Sequence, residues 1–138
     1  EVQRGLNVII KDLLTRAHVH DQSKLVWPEL EAFNESTPKL AGLVYGTPEY
    51  QQSLDAMRPA LEHHYSVNRH HPQFHENGIH DMSLMDLLEM LVDWQAACKR
   101  HTDGGNIRQS IEFNAERFGY GDEIKKLLLN TVYALEQL

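Results

Sequence analysis

The chain has 138 residues, 41% of them apolar, which is enough for the single core of one ordinary domain. A formal charge of −7 opposes the counterion release by which basic proteins hold polymeric nucleic acid, and no apolar run reaches the roughly 18 residues of a membrane span, so neither role is expected. The lone cysteine, Cys98, cannot form an intrachain disulfide and suits a reducing, cytoplasmic setting.

In chain order, Val2, Leu6, Ile9, Ile10, Leu13, Leu14 and Ala17 recur at spacings of three and four, predicting an amphipathic helix over 2–24 with this stripe toward a core. Pro28, Pro38, Gly42, Gly46 and Pro48 then punctuate a connecting excursion, with at most a short turn from Pro28 to Phe33. A second helix opens at Thr47 with Pro48 in its first turn and carries Tyr50, Leu54, Met57 and Leu61 inward, with a kink or restart at Pro59. Residues 72–82 read as a loop after Pro72. Ser83 and Asp86 form a capping box for a third helix, running from Leu84 to about His101 and stopping before Gly104-Gly105. Two further helices follow, from Ile107 to Phe118 with Gly119 as terminator and from Glu123 to about Gln137 after a cap at Asp122. No stretch alternates with period two, so the expected fold is an all-α, single-domain helical bundle over 1–138.

Histidine is the unusual component: there are nine, and six of them (His63, His64, His70, His71, His75, His80) fall within 18 residues. Such a cluster is either a titrating surface or a metal site. Extending the first stripe past Ala17 brings His20, Asp21 and Lys24 to the buried side. A buried carboxylate needs a compensating cation, which Lys24 alone or a metal would supply. The second stripe continues from Leu61 to His64 and Asn68 and leaves His63 opposite, while His70 and His71 precede the helix-ending Pro72. Imidazole with carboxylate suits Mn, Fe, Co, Ni or Zn. On the third helix Leu84, Leu87, Leu88, Leu91, Trp94 and Cys98 form the apolar side. Asp93 shares the other with Asp86, Glu89 and Arg100, as on an ordinary solvated face. Trp27, Tyr45, Tyr65 and Trp94 are either stacking surfaces for a nucleobase or plain packing.

These motifs carry a resemblance. H-D-Q-S-K at 20–24 resembles the H-D-x-G/S-K signature of HD-domain metalloproteins, and Asp93-Trp94 falls where their later aspartate ligand lies. With His64, Asn68, His70 and His71 between them, the chain is similar over about residues 2–100 to a narrower group of small bacterial and phage HD-like proteins. The resemblance implies a helical bundle of the HD-domain type, its metal site within about 18–100 and the helices of 107–137 packed on it. His20, Asp21, His64, His71 and Asp93 would hold one or two divalent ions. The first histidine of the HD plan is absent from Val2–Ala17, which leaves it upstream of Glu1 or leaves His64 to complete the set.

The implied activity is metal-dependent hydrolysis of a small phosphate ester, a nucleotide above all, by activated water. Lys24 or Arg69 would screen the phosphate, and His70 would protonate the leaving oxygen, with Asn68 beside them. Two alternatives stand: a di-iron oxygenase, for which Asp21 would bridge the irons with His64 and either His70 or His71 on the second ion, and a binding or inhibitory module without turnover.

Overall fold

A computed structural model describes residues 1–43, 47–100 and 105–138. The described residues form seven α-helices and no strand, so the chain is all-α, as expected. The helices are α1 (Val2–Val19), α2 (Glu29–Ala41), α3 (Pro48–Ala56), α4 (Arg58–Val67), α5 (Leu84–Arg100), α6 (Ile107–Phe118) and α7 (Asp122–Leu135). Three 3₁₀ turns, Gln22–Leu25, Pro72–Phe74 and Gly78–Asp81, join the helices around the site. None of the described helices is long and apolar enough to cross a membrane. The expected end of the third helix at His101, the stop at Gly104 and the aromatic Tyr45 lie outside the described residues.

The hydrophobic core is built from α5, α6 and α7. Leu87, Met90 and Leu91 meet Ile107, Ile111, Ala115, Leu128 and Val132, and Ile79 closes one end. Tyr120 is buried with them and donates its hydroxyl to the Ile111 carbonyl at 2.6 Å, so its polar end is satisfied. Trp94 stacks on Phe118 with ring centroids 6.1 Å apart, which makes it a packing residue rather than a nucleobase platform. Gly119 adopts φ 69° and ends α6 as a left-handed cap, where a side chain would be strained. Helix α5 thus has one wall in the core, and its other wall packs on α1.

Three local expectations need correction. The first helix stops at Val19 rather than running to Lys24, because Asp21 turns into the left-handed region at φ 57° and the chain continues as a 3₁₀ turn. Its apolar stripe does not face a core: Val2, Leu6, Ile9, Ile10 and Leu14 are all exposed, and α1 is held to α5 chiefly through its polar side. The supposed excursion after Pro28 is the 13-residue helix α2. Its inward positions, Glu29, Phe33, Ser36 and Leu40, keep helical spacing but begin with a glutamate and include a serine, which hides the periodicity. Pro38 and Asn34, whose carbonyl loses its helical partner, are both exposed, so solvent takes that bond. Helices α3 and α4 follow the reading closely, with the Thr47 side chain capping α3 and Pro59 in the first turn of α4.

Candidate metal centre

The site begins with two complementary stripes. On α1 and its C-cap, Asp12, Arg16 and His20 recur every four residues, and on α5, Asp86, Glu89 and Asp93 recur at three and four. Arg16 Nη1 donates to Asp86 Oδ1 at 2.8 Å and to Glu89 Oε2 at 3.1 Å, while its Nε donates to Asp12 Oδ2 at 2.7 Å. One turn further on, His20 Nδ1 lies 2.9 Å from Glu89 Oε1 and His20 Nε2 lies 3.8 Å from Asp93 Oδ1. The side of α5 that reads as a solvated face is therefore a wall of the site.

Asp86 shows this most sharply, since it is fully buried rather than exposed. Its oxygens accept from the Ser83 N–H, the Ser83 hydroxyl, Arg16 and Arg69. Burial acts to raise its carboxyl, but those bonds outweigh burial and hold it down at about 2. The capping box read from Ser83 and Asp86 is present, with an ion-pair network added to it.

Asp21 sits at the junction of α1 and the following turn, in a backbone conformation that costs a non-glycine residue about 1 kcal/mol or more. This φ aims its carboxylate across the gap toward the end of α4. Lys24 Nζ donates to Asp21 Oδ2 at 2.6 Å, so the simple ion pair does exist. It accounts for only half of the carboxylate. The other oxygen, Oδ1, lies 3.3 Å from His64 Nε2 and 3.5 Å from His70 Nε2, is buried, and has no hydrogen-bond partner. Burial acts to raise Asp21, but His64 and Lys24 beside it prevail and keep it well below the usual carboxylate range.

A second carboxylate fixes which nitrogen His64 presents. Glu29, fully buried at the start of α2, lies 2.8 Å from His64 Nδ1 and 2.7 Å from His63 Nδ1, and Ser23 donates to it at 2.9 Å. An ionised carboxylate only accepts, so the His64 Nδ1–H donates to Glu29 and the ring turns its Nε2 toward Asp21. His64 Nε2 and Asp21 Oδ1 thus face each other at 3.3 Å. His63 also belongs to this network, through the same glutamate, rather than pointing away from it.

His70 and His71 complete the cluster. The chain leaves α4 at Asn68, whose Nδ2 donates to Ser23 Oγ and to the His64 carbonyl, both at 2.8 Å, pinning the helix end to the turn after Asp21. The His70 and His71 rings then pack with centroids 4.1 Å apart. Burial, reinforced by the charges of His70 and His64, pushes His71 down to about 3, so it is a neutral imidazole across the physiological range. Its Nε2 and that of His70 are both buried without a hydrogen-bond partner.

Asp21, His64, His70 and His71 therefore present one ligand atom each, all within 4.8 Å of one another, and His20, Asp21 and Asp93 do the same in a second group sharing Asp21. A third group, His20, His70 and Glu89, meets at the Glu89 carboxylate. Three orphaned buried atoms among the first four donors, and a donor chemistry of imidazole and carboxylate, fit a divalent transition metal.

All five metal-type residues expected from sequence are in this cluster, and His70, expected as a proton donor, is buried among them. Lys24 and Arg69 are not free cations: Lys24 lies on Asp21 and Arg69 on Asp86, its guanidinium over the Phe74 ring. Asn68 braces the local backbone. His18, which belonged to neither stripe, is exposed. Tyr65 packs against His71, and Trp27 projects from the turn at 79% exposure. Two residues the motifs do not announce are Glu29 and Glu89. Glu89 was legible as the middle of an acidic stripe matched to Arg16 and His20, whereas nothing in the pattern around Glu29 marks it.

Fold and site together define an all-helical protein with a histidine and carboxylate cluster arranged to hold a metal. The chain belongs to DUF5662, a family of unknown function, whose model matches residues 1–138. No curated protein and no solved structure matches it.

Proposed function

We propose that this protein is a metal-dependent phosphohydrolase of the HD type, acting on a nucleotide or related small phosphate ester. The observation that carries the reading is the convergence of Asp21 Oδ1, His70 Nε2 and His71 Nε2, three buried ligand atoms without partners, beside His64 Nε2. A divalent ion there supplies Lewis acidity that lowers the pKa of water toward neutrality and neutralises phosphoryl charge. The chain's own residues do the rest. Glu29 holds His64 in its Nε2-presenting tautomer, Asp21 is shared between the two donor groups, and Asp93 with His20 completes the second. Lys24, paired with Asp21, and the more exposed Arg69, paired with Asp86, are the cations beside the cluster that would meet an incoming anion. His70 acts as a ligand in this arrangement, since its ring is only 2% exposed. The half-buried Cys98 is compatible with a reducing cytoplasm.

The test is a screen of the protein, stripped and then reloaded with Mn, Fe, Co, Ni or Zn, against nucleotides, cyclic dinucleotides and generic phosphate esters. Metal-dependent release of phosphate or nucleotide that is lost in Asp21→Asn supports the proposal. Metal uptake without turnover of any substrate turns it toward a binding or inhibitory module.

One observation favours a second reading, a di-iron oxygenase: His64, His70 and His71 share one donor group with Asp21, and that reading needs two of them on the second ion. Two irons per chain with substrate-dependent oxygen consumption would select it over hydrolysis.

A further inference from the structure

Glu89 belongs to none of the motifs that suggest metal binding, yet it touches more of the centre than any other second carboxylate. It projects from the middle of α5 with its side chain 15% exposed. One oxygen, Oε1, lies 2.9 Å from His20 Nδ1 and 3.3 Å from His70 Nδ1. These rings come from distant segments and pack with centroids 4.5 Å apart. The other oxygen accepts from Arg16, which is itself anchored on the fully buried Asp86. Because a carboxylate only accepts hydrogen bonds, a ring that bonds it donates Nδ1–H, as His20 does at 2.9 Å; with Nδ1 toward Glu89 both rings present Nε2 to the opposite side, where Asp21 Oδ2 lies 3.4 Å from His20 and Oδ1 3.5 Å from His70.

His20 and His70 belong to different donor groups, His20 with Asp21 and Asp93, His70 with Asp21, His64 and His71. We propose that Glu89 is a positioning residue for both metal positions at once: a single carboxylate, clamped by Arg16, sets the tautomer and direction of one imidazole ligand in each. The inference rests on the metal-centre reading above and adds to it a residue that acts through the ligands. Asp21 joins the two positions on the Nε2 side, and Glu89 joins them on the Nδ1 side. Outer carboxylates of this kind typically change metal affinity by about 10- to 100-fold when removed. Here one substitution should weaken two positions together, because both rings lose the same partner.

The alternative is that Glu89 is itself a ligand, through the group it forms with His20 and His70. Titration of the chelator-stripped full chain with Co²⁺, followed by its visible ligand-field spectrum, separates the two. The proposal expects Glu89→Gln to weaken Co²⁺ binding at both positions by about 10- to 100-fold while the spectrum at saturation matches wild type, since the ligand set is unchanged. His20→Ala, by comparison, should weaken one position and alter the spectrum. An unchanged affinity in Glu89→Gln, or a changed saturated spectrum with only one position lost, overturns the inference. A wild-type chain that takes up no Co²⁺ overturns the metal-centre reading itself and the inference with it. A measurement on wild type alone guards against a variant that does not fold. Long-range ¹H–¹⁵N spectra of the Zn²⁺-loaded protein should show His20 and His70 protonated on Nδ1, and either ring bound through Nδ1 would overturn the proposal.

Discussion

Arg16 on α1 donates to Asp86 on α5 at 2.8 Å, and this bond, with the one from Arg16 to Glu89 at 3.1 Å, ties the two helices together through charge. Asp86 is fully buried, so its charge is tolerable only because Arg16, Arg69 and Ser83 surround it. Asp86→Ala should destabilise the fold by about 3 kcal/mol or more, since it removes the buried acceptor shared by Arg16, Arg69 and Ser83 and with it the α5 cap. Urea unfolding measures this. A change within about 0.5 kcal/mol, the expectation for an exposed residue, would show that the network carries no stability.

The same residue sets an acid limit. Asp86 is held at about 2 against an ordinary value near 3.9, so its folded-state value is depressed. A depressed carboxylate contributes stability that is complete above the unfolded value and is lost as pH falls through the folded one. Asp86 should thus contribute about 2 kcal/mol at neutral pH, fading between about pH 4 and pH 2. The stability difference between wild type and Asp86→Asn should shrink across that window. A difference independent of pH would contradict the sign.

Asp21→Asn should abolish metal retention or turnover while leaving helicity near wild type. The carboxylate is common to both donor groups, and the hydrophobic core lies on α5, α6 and α7, away from it. Elemental analysis and far-ultraviolet circular dichroism together check this. Wild-type metal content in the variant would remove Asp21 from the ligand set.

His64→Ala and His63→Ala test the register of α4. Both rings bond Glu29, but only His64 is buried with Nε2 on Asp21, whereas His63 is 38% exposed. Metal affinity should fall by orders of magnitude in His64→Ala and by about tenfold or less in His63→Ala, where only an outer partner of Glu29 is lost. The reverse order in a Co²⁺ titration would put the wrong histidine in the centre.

Asp93→Ala should weaken the position it shares with His20 and Asp21, and leave the group of Asp21, His64, His70 and His71 able to bind. The stoichiometry in a Co²⁺ titration should drop by one ion per chain, with the core intact. Loss of neither ion would make Asp93 only an ion-pair neighbour of His20; burial acts to raise Asp93, and His20 beside it contributes to keeping it low.

By itself the sequence determined the helices of the second half and the identity of the ligand-type residues. Helix α6 with its Gly119 stop and α5 with its capping box follow from spacing and cap chemistry, which are local properties, whereas Asp93 became a ligand candidate only through the resemblance to the HD plan. Only the tertiary structure decided which faces are inside. The apolar stripe of α1 reads as a core face yet is exposed, while the acidic stripe of α5 reads as solvated yet is covered. The physical reason is that helical periodicity reports a difference between two faces, whereas burial depends on what packs against them. An acidic stripe opposite Arg16, His20 and His70 can be buried when its charges are matched, and no window of one helix contains its partners from another. Glu29 makes the same point: 35 residues separate it from the His64 ring it orients, and only the packing of α2 on α4 brings them together.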